Sequence, residues 1–238
     1  SAGRYICGEA SAQIKAISRL RPNPRKGGPR TSVKGLWDCP TIVNNLETLA
    51  NLPGIVRNGP AWFKSLARSE TGSGTKLYSV SGQVARPGCY ELPIGVTIRD
   101  IIFTHAGGMA PGKTFKTVIP GGASTPYLPE ALLDLEMDFD PMKKAGQRFG
   151  TASLMVFDKD TCLVGATLSL MEFFARESCG WCTPCREGIP YVRELLRRIE
   201  GGEGTEEHLV MLQEMLPVLD LAYCAFAPGA AEPLRGLL

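Results

Sequence analysis

The sequence predicts a multi-domain α+β fold, and three observations support this prediction. The chain has 238 residues, which suffices for one large domain or for two to three small ones with a hydrophobic core. Residues 74–158 contain short β-rich runs separated by turn residues, which is typical of a small sheet. Residues 159–238 contain long apolar stretches with helical periodicity, which predict a helical bundle.

Residues 1–73 carry mixed signals. The stretch "RYICGEASAQIKAISRL" predicts a short strand, a turn at Gly8 and then a helix with an apolar face. The Pro-, Gly- and Arg-rich residues 21–30 predict an exposed loop. A helix with apolar positions from Leu46 onwards follows, and we expect an interruption near Pro53. A second short helix is expected to begin near Pro60, because proline suits the first turn of a helix.

Residues 74–158 predict a small α+β unit of the β-grasp kind. "TKLYSVSGQVARPGCYELP" reads as two strands joined by a turn at residues 86–88, which is a hairpin signal. "TIRDIIFTHAGG" predicts one short helix, with Thr97 as its N-cap and Gly107 as its stop. "FKTVIPGG" and "SLMVFD" predict two further strands.

Residues 159–238 predict three helices. "TCLVGATLSLMEFFARES" is apolar over most of its surface, so we expect it to be well buried. "PYVRELLRRIEGGEG" is amphipathic and is expected to stop at Gly201. The third helix should begin after Thr205, a good N-cap that is followed by two acidic residues in the first turn.

The composition excludes several classes of protein. Hydrophobic residues make up 44% of the chain and charged residues 21%, as in ordinary globular proteins. The net charge of +2 is too small to indicate nucleic-acid or membrane binding by itself. The apolar runs are too short and interrupted to predict a transmembrane helix, and we recognise no signal peptide. Because the chain begins without Met and within a motif-like stretch, we expect it to be the C-terminal part of a longer protein.

Four of the eight cysteines in the sequence form the main functional signal. "ESCGWCTPCREG" places Cys179, Cys182 and Cys185 at C-x2-C-x2-C spacing, and Cys224 follows 39 positions later. Disulfides are disfavoured, since the cysteines are not distributed as in a disulfide scaffold. Three thiolates on one turn with a fourth from elsewhere are typical of a cubane iron–sulfur cluster.

The fourth ligand has two candidates. Cys224 follows the third helix of the bundle, and an antiparallel return would bring it beside the turn. Cys162 stands at the far end of the preceding helix, which would span about 25 Å and keep it away from Cys179. Zinc bound by the same four cysteines is an alternative, although zinc sites usually combine two well-separated C-x2-C pairs. A second alternative is that these cysteines bind no metal and have a purely structural role.

Five sequence motifs in one order give the chain a resemblance to a known family. They are "GRYICGE" at 3–9, "PTIVNNLETL" at 40–49, "PGGAST" at 120–125, "ESCGWCTPCREG" at 177–188 and "CAFAPGA" at 224–230. On these motifs the chain resembles the flavin- and NADH-binding subunit of NADH:quinone oxidoreductase, respiratory complex I. Related diaphorase subunits of NAD-dependent hydrogenases and formate dehydrogenases share the same motifs.

The resemblance implies three domains. Residues 1–73 would be the end of an α/β flavin-binding domain, and residues 74–158 a soluble-ligand-binding β-grasp domain. Residues 159–238 would be a helical bundle that carries a [4Fe–4S] cluster on the four cysteines Cys179, Cys182, Cys185 and Cys224. In this family NADH delivers hydride to FMN, and electrons leave through the cluster. FMN contacts would fall on Tyr5, Gly8, Glu9, Val43, Asn44, Asn45 and Thr48; no catalytic residue is assigned, since the flavin performs the hydride transfer.

The implied partners are the other iron–sulfur subunits of a multisubunit oxidoreductase, including a [2Fe–2S] subunit, which pass electrons towards quinone. We expect neither nucleic acid nor direct membrane insertion. The expected location is cytoplasmic, on the inner face of a bacterial membrane, where partner subunits would hold the protein.

Two departures from the family pattern bear on this function. The family usually has a second glutamate where this chain has Ala10, so we carry no NADH contact onto that position. The Gly-rich segment that holds the FMN phosphate in the family lies upstream of Ser1, so the flavin site is expected to be incomplete within these residues. An iron–sulfur relay and docking module without flavin chemistry is therefore an alternative for this chain alone.

Overall fold

A computed structural model describes residues 3–238, which divide into two compact units. One unit contains residues 3–49 and 164–231 together with Leu238, and the other contains residues 50–163 and 232–237. Among the helices of the described residues, none has both the length and the apolar character needed to cross a membrane.

The described residues form α-helices, β-strands and several short 3-10 and π-helical segments. The α-helices are α1 (Ala10–Ile17), α2 (Leu46–Ser65), α3 (Phe139–Lys144), α4 (Leu163–Glu177), α5 (Thr183–Arg186), α6 (Gly188–Arg198), α7 (Glu206–Asp220) and α8 (Phe226–Leu237). The strands are β1 (Thr75–Gly82), β2 (Gly88–Pro93), β3 (Phe115–Ile119), β4 (Leu128–Pro129) and β5 (Ser153–Asp158). Short 3-10 helices cover Tyr5–Gly8, Leu36–Asp38 and Glu130–Leu132, and π-helical turns cover Asp100–His105 and Ile199–Glu203.

All five strands join one mixed sheet in the order β2-β1-β5-β3-β4. The predicted hairpin is confirmed: β1 and β2 are antiparallel, with Tyr78 opposite Tyr90. The central pair β1 and β5 is parallel, and β3 is antiparallel to both β5 and β4. The predicted strand at "SLMVFD" is β5 itself, whose alternate residues Leu154 and Val156 are fully buried.

A hydrophobic core of buried residues packs against this sheet. Tyr78, Leu154 and Val156 from the strands pack with Ile98 and Ile101 from the short helical segment that follows the hairpin. This segment begins at Ile98 and continues as the π-helical turn Asp100–His105. The predicted N-cap of that helix is confirmed, because Thr97 Oγ1 accepts the N–H of Asp100 at 3.1 Å. The helix is a wide π-helical turn rather than an ordinary α-helix.

The strand predicted at "RYICG" is wrong. Residues Tyr5–Gly8 form a 3-10 helix, in which the adjacent residues Ile6 and Cys7 are both buried. Burial of two successive residues cannot occur on one face of a strand, where side chains alternate. Glu9 then caps α1 by accepting the N–H of Ala12 at 2.8 Å, and this local bond fixes the start of the helix.

The interruption predicted near Pro53 is also wrong, whereas the predicted second helical segment at Pro60 is confirmed. The helix α2 continues through Pro53 and breaks instead at Gly59, whose φ of 84° and ψ of 167° are not helical. Pro60 then begins the last helical turns, in keeping with the preference of proline for a first turn.

The helical predictions for residues 159–238 are confirmed for three helices, α4, α6 and α7. Thr205 caps α7 through a capping box with His208, in which each side chain accepts the main-chain N–H of the other residue. The helices α5 and α8 are additions that the sequence analysis did not predict.

Candidate metal centre

The three clustered cysteines lie in residues 178–187, the cysteine turn, which connects α4 to α6 and contains the short helix α5. Cys182 precedes the four-residue helix α5, and its carbonyl accepts the N–H of Arg186 at 2.9 Å. Pro184 stands in the first turn of α5, where a missing N–H has no consequence. Gly180 has a φ of +70°, a left-handed conformation that favours glycine and turns the segment sharply between Cys179 and Cys182.

Cys224 reaches the same place because α6 and α7 run antiparallel. A Cβ atom at Gly188, the first residue of α6, would lie 3.1 Å from Leu219 near the end of α7. One turn further along α6, the Tyr191 hydroxyl contacts the sulfur of Met211 at 3.3 Å. The chain therefore returns to the cysteine turn at the end of α7, and Cys224 lies in the short connection to α8.

The four thiols are close enough to influence one another. Burial is the largest of the causes that together raise the pKa of Cys185 to about 11; the nearby Cys182, Cys179 and Cys224 act in the same direction, and a hydrogen bond with Ser178 opposes them. Burial also raises the pKa of Cys224. The nearby Cys179 and Cys182 raise this pKa as well, whereas a hydrogen bond from the N–H of Phe226 lowers it. Cys182 and Cys185 are buried, and the other two are partly exposed. Four mutually repelling thiolates at one site need a cationic group to balance their charge.

Four cysteine thiols at one place are a donor set for a metal centre. Within residues 3–238, no set of three His, Cys, Asp or Glu side chains converges tightly enough to hold a single metal ion. A zinc ion would need all four sulfurs about 2.3 Å from one centre. A cubane cluster places each thiolate on a different iron, so the sulfurs stand further apart. The donor set, three thiols at C-x2-C-x2-C spacing and a fourth from Cys224, fits a [4Fe–4S] cluster.

Hydrogen bonds fix the backbone around the sulfurs. Ser178 Oγ lies 3.1 Å from Cys185 Sγ and also accepts the N–H of Gly180 at 3.2 Å. Arg21 donates to the carbonyl of Cys179 at 2.7 Å, and Arg186 donates to the carbonyl of Gly180 at 3.3 Å. The sequence analysis missed these three side chains. Ser178 adjoins a candidate ligand and could have been found, whereas Arg21 is 158 positions away and carries no local signal.

The rival ligand Cys162 lies before the start of α4, whereas the three clustered cysteines follow its end. It is exposed and immediately precedes α4, whose 15 residues separate it from the cysteine turn. A helix of this length spans about 22 Å. The cysteines that raise the pKa of Cys185 are Cys182, Cys179 and Cys224.

The first group of predicted flavin contacts lies in the same unit as the cysteines. Tyr5 is 49% exposed, and its ring meets the rings of Phe173 and Phe226 edge to face. Gly8 is exposed, and the Glu9 carboxylate accepts from the Ser11 hydroxyl as well as from the N–H of Ala12. Glu9 is also close enough to Cys224 to raise the pKa of its thiol.

The second group lies at the start of α2. Val43 is partly exposed, and Asn44, Asn45 and Thr48 are exposed. The asparagine amides thus present both donors and acceptors at the surface, which suits a flavin ring edge or ribityl chain. No described contact joins these four residues to the first group, so the assignment of the two groups to one site stays a prediction.

Two cavities open near Glu9 and the cysteine turn. The larger, about 520 Å³, is lined by Lys15, Asn23, Pro24, Arg25, Lys26, Trp181 and Tyr223. The smaller, about 440 Å³, is lined by Glu9, Ala10 and Ser11 together with residues 27–32 and Arg25. Basic side chains contribute to both cavities, whereas Glu9 is the one acidic residue among the residues that line them.

Comparison with known families agrees with this geometry. Residues 165–238 match the NADH-ubiquinone oxidoreductase-F iron-sulfur binding region. This range contains Cys179, Cys182, Cys185 and Cys224. Residues 77–127 match the SLBB domain. The helical region that carries the four cysteines thus matches the iron–sulfur binding region of a known protein family.

Individual relatives with names identify the similar proteins more closely than the family models do. The chain is 47% identical over 239 aligned residues to the F subunit of NADH-quinone oxidoreductase from Salmonella typhimurium, in a match that covers 100% of this chain and 54% of that protein. The F subunit from Escherichia coli matches with the same identity and coverage. The F subunit from Mycobacterium bovis is 42% identical over 98% of this chain and 52% of its own length.

A solved structure extends the likeness to three dimensions. The chain matches a chain of an NAD+-reducing [NiFe]-hydrogenase in the H2-reduced state with a TM-score of 0.90 and 36% identity. The match covers 100% of this chain and 40% of that one. The chain is therefore homologous to the F subunit of NADH-quinone oxidoreductase, and the predicted resemblance is confirmed. It spans about half the length of the curated relatives that it matches.

Proposed function

We propose that this chain is the electron-transferring part of a subunit that oxidises NADH. In this proposal a [4Fe–4S] cluster is held by Cys179, Cys182, Cys185 and Cys224. The observation that carries the proposal is the mutual proximity of these four thiols, three from one turn and one from the connection between α7 and α8. The matched iron-sulfur binding region and the names of the relatives support it.

The cluster, when bound, would accept and release single electrons. Because a cysteine is available for each of its four irons, no iron is left open for a substrate, so the site suits electron transfer rather than catalysis at the metal. The chain's residues supply four thiolates, a buried setting at Cys182 and Cys185, and hydrogen bonds from Ser178 and from the N–H of Phe226. Hydrogen bonding and limited exposure to water are the means by which a protein adjusts such a site.

The flavin part of the proposal uses the predicted contact residues. Tyr5, Gly8 and Glu9 would face one side of FMN, and the four residues at the start of α2 would bond its polar edges. The exposure of these residues and their presence in the unit that holds the cysteines support the assignment. FMN would accept the hydride of NADH, and the cluster residues would lie on the route by which electrons leave.

The domain boundaries implied by the resemblance belong to the same proposal. We assign residues 1–73 to the end of the flavin-binding domain, 74–158 to a β-grasp domain and 159–238 to the cluster-bearing helical domain. All five strands fall between Thr75 and Asp158, and α4 to α8 follow them, which supports this division.

A diaphorase subunit of an NAD-dependent hydrogenase is the second candidate function, and the structural match to an NAD+-reducing hydrogenase favours it. Either assignment implies further iron–sulfur subunits as partners, including one with a [2Fe–2S] cluster. The complex I assignment further implies a position on the inner face of a bacterial membrane through these partners. The identity to several F subunits over nearly the whole chain leads us to prefer it.

Metal content tests the proposal most directly. We would count iron and zinc in full-length protein prepared without oxygen and record the electron paramagnetic resonance spectrum after reduction with dithionite. The proposal expects about four irons for each chain and a reduced-cubane signal. The Cys224→Ala variant should lose this signal, and the matched Cys162→Ala variant should keep it. Stoichiometric zinc without a signal would favour the structural-zinc alternative instead.

A further inference from the structure

A continuous chain of hydrogen bonds connects a remote arginine to one of the cluster cysteines. Arg21 Nη2 donates to the carbonyl oxygen of Cys179 at 2.7 Å. The same peptide group ends in the N–H of Gly180, which donates to Ser178 Oγ at 3.2 Å. Ser178 Oγ in turn lies 3.1 Å from Cys185 Sγ. Three contacts therefore lead from a guanidinium group to a sulfur atom.

The direction of the last contact follows from the inventory of hydrogens. A serine hydroxyl has one hydrogen to donate and two lone pairs that accept. Ser178 Oγ uses one lone pair to accept the N–H of Gly180. A Cys185 thiolate bound to a cluster has no hydrogen to donate, so in the cluster-containing protein the Ser178 hydroxyl donates to Cys185 Sγ. Each bond then points the same way, from Arg21 towards Cys185.

Aligned hydrogen bonds strengthen one another. A charged donor on the carbonyl of Cys179 polarises the peptide group, which makes the N–H of Gly180 a better donor and the Ser178 hydroxyl a better donor in its turn. A hydrogen bond to a cluster sulfur stabilises the reduced, more negative form of an iron–sulfur cluster and so raises its reduction potential.

We propose that Arg21 is a positioning residue that raises the reduction potential of the cluster through the Cys179–Gly180 peptide group and the hydroxyl of Ser178. The inference rests on the cluster assigned under the proposed function. Arg21 is exposed, so its direct effect through space is weakened by solvent and salt, and the hydrogen-bonded route is the one that reaches the sulfur.

The second arginine at the turn cannot replace Arg21 in this role. Arg186 donates to the carbonyl of Gly180 at a longer distance of 3.3 Å, and that carbonyl belongs to the next peptide group, which does not lead to Ser178. Its guanidinium group is also paired with Glu187 at 2.7 Å. Within residues 3–238, the contacts described for Arg21 include no carboxylate, and its guanidinium group donates to the carbonyl of Cys179.

A double-mutant cycle on the full-length, cluster-containing protein tests the route. We would titrate wild type, Arg21→Gln, Ser178→Ala and the double variant with reductant and follow the cluster by electron paramagnetic resonance. Each single variant should shift the midpoint potential to more negative values. The shift of the double variant should be smaller than the sum of the two, because both substitutions interrupt one chain. Arg19→Gln removes the same charge from a neighbouring exposed position and should leave the potential unchanged.

The possible outcomes separate this inference from the proposed function. An unshifted potential in Arg21→Gln, a shift in Arg19→Gln of the same size, or strictly additive shifts would overturn the route through Ser178. If Arg21→Gln fails to retain iron, we would measure the potential of Arg21→Lys instead, with Arg19→Lys as its control. A smaller negative shift is then expected, since lysine keeps the charge but not the planar donor group, and no shift would again overturn the inference. Absence of a cluster from wild type would overturn the proposed function itself.

Discussion

The carboxylate of Glu177 accepts the main-chain N–H of Tyr5 at 3.1 Å, which joins two residues that are 172 positions apart. Arg4 Nε lies 3.4 Å from the same carboxylate oxygen, and Arg176 lies 3.6 Å from the other. The bond from Tyr5 lowers the pKa of Glu177 most, and the charges of Arg4 and Arg176 lower it further. One side chain at the end of α4 thus fixes the segment that we assign to flavin binding beside the segment that carries the cysteines.

Removal of this carboxylate should loosen residues 4–9. In Glu177→Ala, the N–H of Tyr5 loses its acceptor, so we expect faster amide hydrogen exchange at Tyr5 and at its neighbours, measured by mass spectrometry or NMR. Glu177→Gln keeps an acceptor oxygen but not the charge and should show an intermediate rate. The control is Glu194→Ala, which removes an exposed carboxylate paired with Arg197 and should leave these rates unchanged. Unaltered exchange at Tyr5 in Glu177→Ala would contradict the assigned contact.

Gly82 should be the least replaceable glycine of the sheet. It has a φ of +90°, and a Cβ atom there would lie 2.1 Å from the carbonyl oxygen of Val156 on the neighbouring strand. Gly82→Ala should therefore lose about 1–2 kcal/mol from the backbone conformation alone, and more from this overlap. Gly112→Ala is the matched control, because φ is +75° but no atom lies within 4 Å of the added Cβ.

Urea unfolding followed by circular dichroism measures this difference. Gly82→Ala should show the larger decrease in the free energy of unfolding. Equal losses in the two variants would mean that β1 and β5 are not paired as described.

The buried carboxylate of Asp158 predicts a pH-dependent stability. Its side chain is 2% exposed and lies 2.7 Å from Lys113 Nζ. The hydrogen bond from Lys113, followed by one from Thr161, holds the pKa of Asp158 below its ordinary value of 3.8. A carboxylate with a lowered pKa in the folded state contributes stability above its unfolded pKa, and this contribution is lost as the pH falls through the folded value.

We therefore expect Asp158→Asn to melt at a lower temperature than wild type near neutral pH. The difference should narrow as the pH falls below about 4. Asp160→Asn is the matched control: Asp160 also contacts Lys113, at 3.2 Å, but is 80% exposed and should contribute little. Melting temperatures across a pH series would contradict the assignment if the Asp158→Asn difference stayed constant from neutral to acidic pH.

Local patterns in the sequence predicted much of the fold correctly. β5 was predicted at its observed limits because its alternate residues are buried, and the cap at Thr205 was predicted because capping depends on neighbouring residues. The parallel pairing of β1 with β5 could not be predicted, since the partners are more than 70 positions apart. α8 was missed because Pro228, Pro233 and two glycines hide its helical pattern.

The candidate metal centre likewise has features that the sequence indicated and contacts that it did not. The spacing of the three clustered cysteines indicated the cluster, and the antiparallel return of α7 indicated Cys224 rather than Cys162. The contacts that surround the sulfurs depend on tertiary structure. Arg21 belongs to a loop whose Pro, Gly and Arg composition predicts exposure, and its bond to the carbonyl of Cys179 depends on how that loop packs.

Gly180 should control how firmly the cluster is held. Its φ of +70° is unfavourable for other residues, although a Cβ atom would meet only ordinary contacts, 3.5 Å from Arg21 and 3.9 Å from Arg186. The cost of Gly180→Ala is thus conformational, about 1–2 kcal/mol, and the chain can relieve it by moving Cys179 or Cys182 away from its place. Gly180→Asn should cost less, because asparagine adopts the left-handed conformation more readily.

Retention of iron during incubation with a chelator measures this effect. We expect Gly180→Ala to lose iron fastest and Gly180→Asn to lose it at an intermediate rate. Gly202→Ala imposes the same kind of backbone strain at a φ of +83°, with no atom within 4 Å, outside the cysteine turn, and it should retain iron as wild type does. If Gly202→Ala lost iron as fast as Gly180→Ala, general destabilisation would explain the loss. If only the Gly180 variants lose iron, the left-handed turn between Cys179 and Cys182 is itself part of the cluster site.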